Sequence, residues 1–104
     1  MKSLEKLKGK YCVIRGDRSG VFAGNIVDTS EDGKMVELTN CRRLWYWDGA
    51  CSISEIAKSG VTRPEDCKFT VTIDELLLTD VIEIIPATLE AEKCIKGVRE
   101  WKKN

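Results

Sequence analysis

Histidine is absent from this 104-residue chain, and with it goes the commonest general base and a frequent metal ligand. Net charge is lacking too, since 17 Lys and Arg offset 17 Asp and Glu. The halves balance separately: residues 1–50 carry 9 basic and 7 acidic side chains, residues 51–104 carry 8 and 10. Proteins that track long nucleic acid usually carry a basic excess, because phosphate neutralisation supplies much of their affinity. A long nucleic acid is therefore not an expected partner. A short nucleotide remains, because a pair of arginines can hold its phosphates. There is no apolar run of signal-peptide or membrane-span length, so the expectation is a cytoplasmic protein with no membrane partner. The 5 cysteines (Cys12, Cys41, Cys51, Cys67, Cys94) are odd in number and contain no C-x-x-C. That pattern suits reduced thiols acting as small core residues, with no disulfide framework, metal or cofactor.

What is present is β-rich. The chain reads as one domain with an N-terminal arm over 1–9, a β-rich body over 10–85 and a C-terminal helix over 88–96. Lys10–Arg15 and Gly20–Thr29 read as strands joined by a "GDRSG" loop, and Gly24 marks a bulge or a close backbone approach. Asp32-Gly33 supplies a turn, and Met35–Asn40 alternates so that Val36 and Leu38 share a face, which predicts a hairpin. A further strand is expected over Arg42–Trp47. Ser52 and Glu55 have capping-box spacing ahead of a short helix over about 52–59 that Gly60 ends. Lys68–Ile73 alternates as a strand. Val81–Pro86 is more continuously apolar and is expected to be more buried, while Asp74–Asp80 reads equally as a helical turn or an extended piece. Thr88 caps a last helix with Ala91, Cys94, Ile95 and Val98 on one face and Gly97 at its end. The fold class is mainly β (α+β): a small antiparallel bent sheet or partly open barrel with a short central helix and a C-terminal helix.

Aromatics are scarce, yet Trp45, Tyr46 and Trp47 are consecutive in "CRRLWYWDGA". Strand alternation puts Arg43, Trp45 and Trp47 on one face and Arg42, Leu44 and Tyr46 on the other. Each large aromatic buries about 150–250 Å², so two exposed tryptophans would approach the largest apolar patch of a typical monomer, about 300–600 Å². That face belongs to the core, to a subunit interface or to a ligand pocket. In the core reading one tryptophan face packs inward while Arg42 and Tyr46 reach solvent. Three aromatics in a row fit that reading poorly, because one large face must still meet something. Guanidiniums beside flat rings are the usual means of stacking a base and gripping a phosphate, and they are also enriched at protein interfaces. Arg42 and Arg43 are thus the candidate phosphate holders, and Trp45, Tyr46 and Trp47 the candidate stacking rings. Arg18 and Ser19, in a glycine-framed loop without the Lys-Ser/Thr of a P-loop, are candidates for the pocket rim. No Ser or Cys has an evident catalytic partner, so catalysis would need Asp, Glu or Lys acting alone.

The segments "GVFAG", "RRLWYWDGACSISEIAKSGV", "EDCKFT" and "VIEIIPATLEAEK" resemble a family of short phage and prophage proteins. Its members run as GVxAG, ARRLWYWxGAxSLSxLA, CKF and EVIPATxEA, and the resemblance covers residues 10–101. Arg42, Arg43, Leu44, Trp45, Tyr46, Trp47, Gly49, Ala50 and Ser52 stand in the most recognisable segment, with Cys41 where members more often have alanine. The resemblance implies a small intracellular accessory protein without an assigned reaction or cofactor. Joined to the residue reading, it leads to a non-catalytic protein that sequesters a small nucleotide-like ligand, such as a host defence signal. The pocket would be shared between subunits of a homo-oligomer. The alternatives are an inhibitor or assembly module that docks its aromatic face on a host or phage protein, and an enzyme acting on a nucleotide.

Overall fold

The computed structural model describes residues 2–103. After a short helix α1 (Lys2–Glu5), strands β1 (Tyr11–Gly16), β2 (Val21–Thr29) and β3 (Val36–Tyr46) form an antiparallel meander. Helix α2 (Ile53–Ser59) and a 3-10 turn at Pro64–Asp66 follow. Strands β4 (Lys68–Phe69) and β5 (Leu76–Leu78) both pair with β3, and β6 (Val81–Pro86) returns to pair with β1. Helix α3 (Leu89–Gly97) comes last. The sheet order β4-β3-β2-β1-β6 is open, with every strand pairing antiparallel, so the mainly β, α+β architecture expected from the sequence is the one observed.

Both faces of this sheet are covered. Tyr11, Cys12, Val13 and Ile14 are all buried, because alternate side chains enter different cores. Tyr11 and Val13 join Ala23, Leu44, Phe69, Ile56 and Ile95 on the side of α2 and α3. Cys12 and Ile14 join Phe22, Ile26, Val36, Leu38 and Cys41 in the other cluster. Strand β3 changes the parity of its faces opposite Gly24, since Leu38 and Cys41 enter one core and Leu44 the other. A Cβ on Gly24 would sit 2.5 Å from Cys41 Cβ and 2.9 Å from Cys41 Cα. The β2–β3 register shifts between Ala23 and Asn25, opposite Asn40, whose φ is +49°. This bulge turns β3, so that Cys41 and Arg42, neighbours in sequence, are both buried.

Local capping matches the residues that predicted it. Ser52 accepts from Glu55 N, and Thr88 accepts from Ala91 N. The reciprocal carboxylate contact is displaced by one residue, since Glu55 Oε1 accepts from Cys51 N at 2.6 Å. Thr88 Oγ1 also donates to the Lys58 carbonyl at 2.7 Å, joining the start of α3 to the end of α2.

Four expectations need correction. The aromatic segment is no separate strand but the second half of β3, running through Tyr46 without a break. Lys68–Ile73 keeps its ladder only over Lys68–Phe69, with an isolated bridge from Ile73 to Cys41. Past Phe69, the Thr70 hydroxyl takes the Arg43 N–H at 3.0 Å, so a side chain meets the donor that a ladder carbonyl would have taken. Strand β6 is not deeply buried: among the described residues it pairs only with β1, and Ile82 is 53% exposed. Ile84 and Ile85 pack toward opposite cores, whereas Ile82 and Glu83 are exposed where that cover thins at the sheet edge. Gly97 is the last helical residue, and Val98 caps the helix in extended conformation.

Candidate functional site

Arg42 sits 3% exposed on the helix side of β3. Nε donates to the Thr70 carbonyl at 2.9 Å and Nη2 to Phe69 at 3.1 Å. Nη1 donates to Ile95 at 2.9 Å and to Val98 at 2.8 Å. The last carbonyls of a helix lack intrahelical donors and carry the negative end of its dipole. Arg42 therefore caps α3 from the sheet, and its guanidinium lies 5.6 Å from the Phe69 ring centroid. Burial lowers its pKa, since desolvation disfavours the charge. The expectation that Arg42 grips phosphate is corrected, because its donors face backbone carbonyls inside the protein.

Arg43, Trp45 and Tyr46 are arranged differently. Arg43 is half-buried, while Trp45 is 63% and Tyr46 51% exposed. The two aromatics are exposed in succession because the β3–β4 register shifts between Leu44 and Tyr46. Trp47 does not share their face. It lies past the strand end, half-buried against the helix-side cluster, so the predicted Arg43–Trp45–Trp47 stripe ends at Trp45.

The chain supplies another ring from its C-terminal segment. Trp101 N donates to the Phe69 carbonyl at 2.8 Å, and Glu100 bridges Phe69 in parallel. Trp101, held against β4 in this way, stacks on Trp45 with centroids 6.4 Å apart and planes 8° from parallel. Lys68 Nζ lies 5.5 Å from the Trp101 centroid and 5.9 Å from that of Tyr46. Two exposed rings thus flank one ammonium, and the third, Trp45, joins them through its stack on Trp101. Sequence reasoning missed Trp101 and Lys68, because both contacts join distant residues. The available signal was a lone tryptophan in a charged segment. Residues 69–92 hold 6 acids and no base, whereas residues 93–103 hold 5 bases and 1 acid. Comparing halves of the chain conceals that segregation. Arg99 and Lys102 line an open hollow beside Trp101, but Glu65 and Glu100 line it too, so it is no purely cationic cradle.

Of the rim candidates, Ser19 is drawn to Arg43 and Arg18 is not. Arg43 Nη1 donates to the Ser19 carbonyl. Asp80 Oδ1 accepts from Ser19 Oγ at 2.7 Å, and Oδ2 accepts from the backbone N–H of Arg18 and Ser19 at 2.8 and 2.9 Å. These bonds hold the Asp80 carboxyl below its usual range, with the Ser19 hydroxyl contributing most. Arg18 contributes only that backbone N–H, and the residue is exposed.

The groups with shifted pKa move away from catalytic usefulness. Burial pushes the Cys12 thiol up to about 11 and raises Cys41 and Cys67, so these remain thiols at neutral pH and poor nucleophiles. Among the described residues no group of three or more metal-ligating side chains gathers, and no helix is long and apolar enough to cross a membrane.

A family model described as a domain of unknown function, DUF6948, matches residues 9–95. Among solved structures, the chain is similar to a heptameric archaeal Sm protein, with 11% identity and a TM-score of 0.58 over 85% of this chain and 100% of that one. At that identity the likeness concerns the fold. No curated protein matches the sequence.

Proposed function

The chain belongs to the DUF6948 family, and for this member we propose non-catalytic binding of a small nucleotide-like ligand, whose ring stacks on the Trp45–Trp101 surface. The observation that carries this reading is the near-parallel exposed pair with Lys68 between Trp101 and Tyr46. Flat rings beside a cation favour a flat, electron-poor, anionic partner. The lack of histidine and the raised Cys12, Cys41 and Cys67 thiols favour holding such a partner over transforming it. The resemblance to phage and prophage proteins supports a role in the host cytoplasm, where holding a defence signal would be the useful act.

Fluorescence quenching and isothermal titration against mononucleotides, cyclic nucleotides and ADP-ribose derivatives test this directly. Base stacking contributes about 1–3 kcal/mol, so Trp45→Ala is expected to weaken binding about 5- to 150-fold. Trp45 is mostly exposed, and the variant should keep its fold. Absence of heat with every compound from folded protein would overturn the reading.

A second reading has its own observation. The archaeal Sm protein of similar fold is heptameric, and among the described residues β6 pairs only with β1 while exposing Ile82. An unpaired edge with an apolar side chain favours strand addition by another copy. Light scattering should then show a mass that is a multiple of 11.7 kDa and that falls when Ile82 is replaced by lysine. A monomer at every concentration rejects self-association.

A further inference from the structure

Stacking on Trp45 accounts for a ligand's ring and leaves its anionic group without a seat. Arg42 is engaged with backbone carbonyls. Arg43 is not. Its guanidinium lies 4.4 Å from the Phe22 ring centroid, and its one hydrogen bond among the described residues goes from Nη1 to the Ser19 carbonyl. None of the ion pairs among those residues includes it. The acid in the same network, Asp80, accepts from Ser19 and Arg18. Asp80 therefore shapes the loop, and the loop fixes one corner of the guanidinium.

A guanidinium carries five donors in a planar fork. Stacking and one carbonyl leave most of that fork unfilled. Covering Phe22 explains the stacking, but it does not call for a forked cation that is half-buried without a counter-charge. Beside Arg43 is a hollow of about 100 Å³ with mostly apolar walls, Phe22, Val71, Ile73 and Leu76 among them, which Thr70, Cys41 and the carbonyl-bound Arg42 also line. That is roughly three waters' worth of liquid volume, room to seat one phosphate group. Two-pronged guanidinium binding of phosphate is strong and geometrically selective, and partial burial strengthens it.

Arg43 and Trp45 lie on one side of β3, alternating with buried Arg42 and Leu44, about 7 Å apart along the strand. We propose that the Arg43 hollow receives the phosphate of a nucleoside monophosphate whose base stacks on Trp45. This rests on the ring-stacking reading and narrows it, because the hollow seats a single phosphate and offers further ones no second arginine, Arg42 being bound to carbonyls.

Two readouts separate the parts: tryptophan quenching for the ring, and the Arg43 Nε–Hε resonance for the anion. Adenosine, its mono-, di- and triphosphates, inorganic phosphate and a 5′-phosphorylated trinucleotide serve as probes. The monophosphate is expected to move both signals and to bind at least as tightly as the di- and triphosphates. Arg43→Gln should weaken the monophosphate about 10- to 100-fold while leaving adenosine unchanged. Arg43→Lys keeps a cation over Phe22 and should recover only part of the loss, which also covers the case where the Gln variant unfolds. Equal movement of Arg43 by the trinucleotide identifies a strand end as a source of the same chemistry. Quenching by the monophosphate with Arg43 unmoved overturns the hollow and leaves stacking in place. Movement of Arg43 by phosphate without quenching by any nucleotide retains an anion seat and overturns both the stacking and the monophosphate assignment. Silence in both readouts overturns everything proposed for this face.

Discussion

Arg42→Met should lower the melting temperature by about 15–30 °C, corresponding to about 4 kcal/mol in a chain of this size. Methionine keeps much of the buried stem but removes every donor. The carbonyls of Phe69, Thr70, Ile95 and Val98 then lose their guanidinium contacts. Bonds to a charged donor contribute about 1.5–3 kcal/mol each, and an unsatisfied buried acceptor costs about 1–3 kcal/mol. Relaxation of the helix end and entry of water would return part of that total, so a loss of several kcal/mol is expected rather than the full sum. Total stability of such domains is about 5–15 kcal/mol, which makes this a large fraction. Thermal and urea unfolding followed by circular dichroism decide it; a shift of under about 3 °C would show that Arg42 does not hold α3 to the sheet. Any fall in nucleotide affinity in this variant should track the unfolded fraction, whereas Trp45→Ala should lose affinity while fully folded.

The contrast between Arg42 and Arg43 shows where the sequence was legible. The Asp32-Gly33 hairpin and the Ser52 and Thr88 caps rest on short-range chemistry, and the bonds are there. Strand alternation correctly opposed Arg42 and Leu44 to Arg43 and Trp45, because parity holds over three or four residues. It failed at Trp47 because the β3–β4 register shifts after Leu44. Composition also could not tell which arginine would meet carbonyls. That depends on α3 ending 53 and 56 residues away, over Arg42. Trp101 was hidden for the same reason, since its pairing with Phe69 and stacking on Trp45 are both long-range. Gly24 was legible as a close approach, but only the coordinates show that its neighbour is Cys41.

That neighbour carries the second large effect. Gly24→Ala should destabilise by about 3 kcal/mol, at or above the upper end for one overpacked methyl. The added Cβ would meet Cys41 Cβ at 2.5 Å, Cys41 Cα at 2.9 Å and the Thr39 carbonyl oxygen at 3.2 Å. Two of these are backbone atoms, so a rotamer change cannot clear them and β3 must move. It would move at the bulge that buries Cys41 and Arg42 on consecutive positions and sets the parity of Arg43 and Trp45. Stability and ligand binding should therefore fall together, unlike in Trp45→Ala. A double-mutant cycle with Cys41→Gly isolates the cause: removing Cys41 Cβ takes away the nearest clash, so the double variant should lose at least about 1 kcal/mol less than the sum of the singles. Strict additivity, or a Gly24→Ala variant as stable as the parent, would mean that the close crossing of β2 and β3 does not control how this strand presents its arginines.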